Sequence, residues 1–223
     1  MKHFCFLAAI ALSSTAVCLA DLNEEGFEKY REGELLGQHE WRPQTPGEKG
    51  YANMRDLAEI RVDPDKGGRW LVWKAGFESP RQTRILKRFP QTAGTKVVVK
   101  LDVIPGNETV SGQFIFDQNR TGGTSLRFVK GTLRIAEFGD PKPKDTGVPF
   151  LPQAWNRLEL QFDFETHSVR VFSEGRDAGA YALPPTLTGL NEINFFAGGA
   201  DFETALDNLS IESVDAFSAP EAK

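Results

Sequence analysis

The stretch Leu158-Glu159-Leu160-Gln161-Phe162-Asp163-Phe164 alternates apolar and polar residues without a break. Successive side chains of a strand point to opposite faces. Leu158, Leu160, Phe162 and Phe164 therefore line one face, with Glu159, Gln161 and Asp163 on the other. Such a strand covers a core with one side and meets solvent with the other. Glu165-Thr166-His167 interrupts the run, and Val169 and Val171 resume it as far as Glu174-Gly175. Two alternating runs joined by a short polar break predict a β-hairpin.

The same period recurs on either side of this hairpin. Ala58–Val62, Arg69–Ala75, Gln82–Phe89, Thr95–Ile104 and Val110–Asp117 are β-rich runs separated by Gly, Pro and Asp. Ser125–Val129, Thr132–Phe138, Asn191–Ala197 and Leu206–Val214 continue the pattern. Short strands at this spacing predict an all-β fold, a two-sheet antiparallel β-sandwich of the jelly-roll type. No segment after Ala58 keeps a 3.6-residue period, which argues against a parallel α/β architecture. Gly139 to Ala154 holds Pro141, Pro143, Pro149 and Pro152 and reads as a long loop, as does Asp21 to Asn53. One domain over 21–214 with a flexible tail over 215–223 accounts for the chain.

The 223 residues carry a formal charge of −5, with 40% hydrophobic and 26% charged residues. These proportions belong to globular chains rather than disordered ones, and the acidic balance argues against nucleic acid as a partner. Residues 1–20 have the layout of a secretory signal peptide. Lys2 and His3 precede an apolar run from Phe4 to Leu12, and Cys18 and Ala20 place small residues ahead of Asp21. Cleavage after Ala20 is expected, with lipidation at Cys18 the alternative; the bulky Val17 argues against the latter. Both cysteines, Cys5 and Cys18, lie in this leader. The expected mature chain is thus free of cysteine, with a secreted or periplasmic location and no membrane span.

Several chemistries lack their residues. Outside the leader only His39 and His167 remain, too few and too far apart for a zinc cluster. His39-Glu40 lacks the second histidine of the metalloprotease motif, and Pro43 opposes a helix there. No Gly-x-Ser-x-Gly elbow, Walker loop or dinucleotide-binding glycine pattern occurs.

Between about Glu25 and Val214 the chain resembles the concanavalin A-like lectin/glucanase superfamily, including LamG-like modules. The residues that carry the likeness are Gly26-Phe27-Glu28, Gly37-Gln38-His39-Glu40-Trp41, Trp155 to Asp163 with Val169 to Phe172, and Ala205 to Ile211. The resemblance implies a sandwich whose closing strand returns beside the N-terminus. Glucanases of that superfamily place acids on alternate positions of one strand. The nearest run here is Glu159-x-Gln161-x-Asp163-x-Glu165, with Gln161 where the central acid is expected. A solvated outer strand face is the simpler reading of those acids. Jelly-roll modules with a similar Phe-Glu opening and closing Asp hold a structural calcium ion, which implies Glu28 and Asp207 as its ligands, helped by Asn208 and carbonyl oxygens.

The leading function is a non-catalytic carbohydrate-binding or cell-surface interaction module; a glycoside hydrolase or lyase on the same fold is the alternative. Aromatic faces stack on sugar rings, and arginines or amides bind hydroxyls and carboxylates. The candidates are therefore Trp41, Trp70, Trp73 and Arg81, with Gln113, Arg127 and Arg134 if their strands line one sheet. Trp70 and Trp73 differ by three positions, so on a regular strand one of them belongs to the core.

Overall fold

The computed structural model describes residues 22–24, 27–35, 37–39, 41–43, 58–62, 68–74, 83–105, 113–117, 122–137, 142–197 and 203–220. The leader of residues 1–20 and Arg81 lie outside these. Among the described residues there is no α-helix. Strands are numbered in chain order. One sheet runs β14 (Arg176–Ala182), β13 (Ser168–Ser173), β12 (Asn156–Asp163), β7 (Lys96–Ile104) and β16 (Glu203–Ser213). It continues through β5 (Arg69–Lys74) and β4 (Ala58–Val62) to β2 (Gly33–Glu34), with β1 (Leu22–Glu24) also paired to β16. The other sheet runs β11 (Lys144–Pro149), β10 (Thr132–Glu137), β9 (Gly123–Val129), β8 (Gln113–Asp117), β15 (Glu192–Ala197), β6 (Thr83–Arg88) and β3 (Arg42–Pro43). The result is an all-β, antiparallel β-sandwich.

The alternating stretch lies well inside the nine-stranded sheet, as β12. Leu158, Leu160 and Phe162 are buried in the core shared by the two sheets, beside Val97, Val99 and Leu101 of β7. The predicted hairpin joins β12 to β13, with Phe162 opposite Val169. The next turn consists of Glu174 and Gly175 alone, both at positive φ (51° and 72°). A two-residue loop with both φ positive matches the right-handed twist of the flanking strands. The closing strand β16 lies beside β1, Leu22 facing Ile211.

Two expectations need correction. The stretch from Asp21 to Asn53 is not all loop, since it contributes β1, β2 and β3. The proline-rich segment is not all loop, because Lys144–Pro149 forms β11. It is an edge strand with Pro149 at its end, where a missing N–H breaks no ladder. Strand β14 (Arg-Asp-Ala-Gly-Ala-Tyr-Ala) shows no hydrophobic alternation in sequence. As the opposite sheet's edge it needs little, and Asp177 shapes its bulge by accepting the Gly179 N–H at 2.8 Å.

Candidate functional site

In the seven-stranded sheet, Leu126 and Phe128 of β9, Leu133 and Ile135 of β10, and Ile193 and Phe195 of β15 face the core. Period two then turns Arg127, Arg134, Ser125, Asn194 and Glu192 outward. The register aligns them. Gln113 of β8 faces Arg127, Arg127 faces Arg134, and Arg134 faces Asp145 of β11. These four residues make one row across four adjacent strands, at the ~5 Å spacing of cross-strand neighbours. Two levels along, Asp117 faces Glu192, which faces Arg88 of β6. Three sequence candidates, Gln113, Arg127 and Arg134, are thereby brought together.

The electrostatics of this face are organised from below. Glu192 is buried although it points away from the core. Its Oε2 accepts from Arg88 Nε at 2.7 Å and its Oε1 from Asn194 Nδ2 at 3.1 Å. Asn194 is 2% exposed, and its Oδ1 has no hydrogen-bond partner among the described residues. The same holds for Nε of Arg134. Arg134 Nη2 lies 3.6 Å from Asp145 Oδ2. The Gly147 N–H, the Thr132 hydroxyl and Arg134 hold the Asp145 carboxyl below its ordinary pKa. The face thus presents guanidinium donors, a carboxylate and amide positions, the groups that hydrogen-bond hydroxyls and carboxylates.

The tryptophans do not join it. Trp41 and Trp73 are core residues, 1% and 0% exposed, which removes both as stacking platforms. Their rings lie 5.8 and 5.6 Å from Phe195, and Trp41 Nε1 donates to the Tyr30 hydroxyl at 2.8 Å. Trp70 faces outward, as its spacing from Trp73 requires, but on the nine-stranded sheet. Sequence reasoning missed Glu192, Asn194 and Asp145. The run Glu192-Ile-Asn194-Phe carries the alternation that places the first two, whereas Asp145 was hidden in the supposed loop.

The acidic run on β12 is spent on structure. Glu159 and Ser218 O accept from Gln161 Nε2, and Asp163 Oδ1 caps the turn through the N–H groups of Glu165 and Thr166. Pairing of the terminal strands brings Glu28 within electrostatic reach of Asp207. Glu28 is engaged by Arg69, accepting from its backbone N–H at 3.0 Å and from Nη1 at 3.1 Å. Among the described residues no group of three His, Cys, Asp or Glu forms a metal cage.

Burial, followed by repulsion from Asp102 and Glu28, pushes the Asp207 carboxyl up to about 6 against the opposing N–H of Asn208. A carboxyl raised in the fold favours folding while protonated. That contribution is complete below the unfolded value near ~3.9 and is lost as pH rises through about 6. Asp207→Asn should therefore stabilise the protein at pH 7.5, by on the order of 1 kcal/mol after solvent screening, and change little at pH 4. Denaturant titrations at the two pH values check this; equal shifts at both would contradict it.

No family model and no curated protein sequence matches the chain. Solved structures do. A sialidase superposes with a TM-score of 0.64 at 14% identity, over 88% of this chain and 19% of that one. Cellulose induced protein, Cip1, gives 0.57 at 13% identity, over 85% of this chain and 96% of its own. The binding domain of botulinum neurotoxin DC in complex with SialylT gives 0.52 at 11%, over 89% and 48%. The β-sandwich fold is shared. The chain spans about a fifth (19%) of the sialidase's length, and identities this low speak for fold alone.

Proposed function

We propose that the chain is an exported, non-catalytic carbohydrate-binding module whose ligand lies across the row Asp145–Arg134–Arg127–Gln113. The register that lines up these four residues on one outward sheet face carries the reading. Support comes from the company the fold keeps: a sialidase, a cellulose-induced protein and a toxin binding domain in complex with SialylT.

A glycan array followed by calorimetry tests the proposal. Arg127→Ala and Arg134→Ala should each weaken binding about tenfold or more, the usual cost of losing a charge-assisted hydrogen bond. Assays for new reducing ends and for unsaturated sugar products should show no turnover; turnover would move the reading to the hydrolase or lyase alternative. Calcium at Glu28 and Asp207 stands as a separate proposal. A melting temperature raised by calcium and lowered by chelator supports it, and identical melts refute it.

A further inference from the structure

The outward face of the nine-stranded sheet carries a second constellation. Across its strands Arg61 of β4 faces Trp70 of β5, Asp207 of β16 faces Asp102 of β7, and Asp102 faces Arg157 of β12. Strand β16 follows β5 as far as Leu206 opposite Leu71. Trp70 is the residue before Leu71 on β5, and Asp207 the residue after Leu206 on β16. All five residues turn outward, because Ile60, Leu71, Leu206, Leu101 and Leu158 next to them face the core.

Trp155 completes the group. Its ring stands edge-on to that of Trp70, with centroids 6.5 Å apart and planes at 87°. Trp155 is 41% exposed, a large apolar side chain left in water. Its position is built. Asn156, buried, accepts from the Leu151 N–H and donates to the carbonyls of Leu151 and Ala154, which fixes the loop that presents the indole. A cavity of about 330 Å³ reaches Asp102 from another side, with Lys100, Arg157, Asn208 and Ser210 in its wall but neither indole and not Asp207. Pro220 closes one side, on a tail tied down by the hydrogen bond from Gln161 to Ser218.

Charge is unbalanced here. Arg157 pairs with Asp102, Arg69 with Glu28, and Arg61 with both Glu59 and Glu203. Asp207 has no ion-pair partner among the described residues. A metal ion would satisfy the carboxylates and leave the indoles unused. A neutral sugar would cover the indoles and leave the charge. An ammonium on a pyranose ring does both, through the carboxylates and the aromatic quadrupole.

We propose that this face is a second binding site, for an amino sugar whose ring packs on Trp155 and Trp70 and whose ammonium meets Asp207 and Asp102.

Calorimetry on the full chain at pH 7 tests it with the glucosamine trimer and its N-acetylated counterpart, which differ in the ammonium. The glucosamine trimer should bind at least tenfold more tightly. Asp207→Asn and Trp155→Ala should each cost tenfold or more in that affinity; the first is isosteric and the second alters an exposed side chain, so melts should confirm that both fold. Equal affinity for the two trimers, unaltered affinity in either variant, or binding of calcium with no binding of the trimer would overturn the proposal.

Discussion

Trp73→Ala should destabilise the protein by about 4 kcal/mol, while Trp70→Ala, three residues away, should cost about 1 kcal/mol or less. Trp73 is fully buried between the sheets, against Phe195, and its removal leaves a cavity that rigid strands on both sides cannot fill. Trp70 is half-buried on the outside and touches Trp155 at its edge. In a chain of this size 1 kcal/mol moves the melting temperature by roughly 2–4 °C. The Trp73 variant should therefore melt more than ~8 °C lower, and the Trp70 variant within a few degrees of the parent. Equal losses would mean that the two tryptophans share one environment, and that the strand parity assigned to β5 is wrong.

Arg88→Ala should be the other severe change. It removes the cation that donates at 2.7 Å to a Glu192 carboxylate whose side chain is 2% exposed. Losing a charge-assisted hydrogen bond to a buried carboxylate costs about 1.5–3 kcal/mol, the arginine itself being half-exposed and Asn194 still donating to Glu192. The half-exposed arginine contributes little packing of its own, so the loss should be recovered by removing the charge it neutralised. Denaturant melts of Arg88→Ala and of the double variant Arg88→Ala/Glu192→Gln separate the causes. The double variant should be the more stable of the two. If it is no better, the arginine acts through packing and not through Glu192.

How far the sequence could be read follows from the same physics. Strand β12 and its hairpin were legible because Leu158, Leu160 and Phe162 alternate with polar residues, and one buried face imposes that pattern. Strands β11 and β14 were not, since an edge strand covers little core and tolerates Pro149 and Gly179. For the site, the residue types at 113, 127 and 134 were enough to nominate Gln113, Arg127 and Arg134. Their alignment depends on which strands are neighbours, and strand order is a long-range property that local alternation does not encode. The tryptophans erred the other way. Trp41 carries the same side chain as a sugar platform, and only the sheet packed over it, with the Tyr30 hydroxyl ready for its N–H, makes it core. Glu28 lies within electrostatic reach of Asp207, but Arg69 was not foreseen as the partner of Glu28.

The central claim is that the outward row of the seven-stranded sheet binds a glycan. Calorimetric titration of the strongest array ligand into the parent chain and into Arg127→Ala/Arg134→Ala, with melting curves to confirm that both are folded, addresses it most directly. The account predicts saturable binding to the parent and a loss of about a hundredfold or more in the double variant, the product of two charge-assisted contacts. Undiminished affinity in a folded double variant would contradict it.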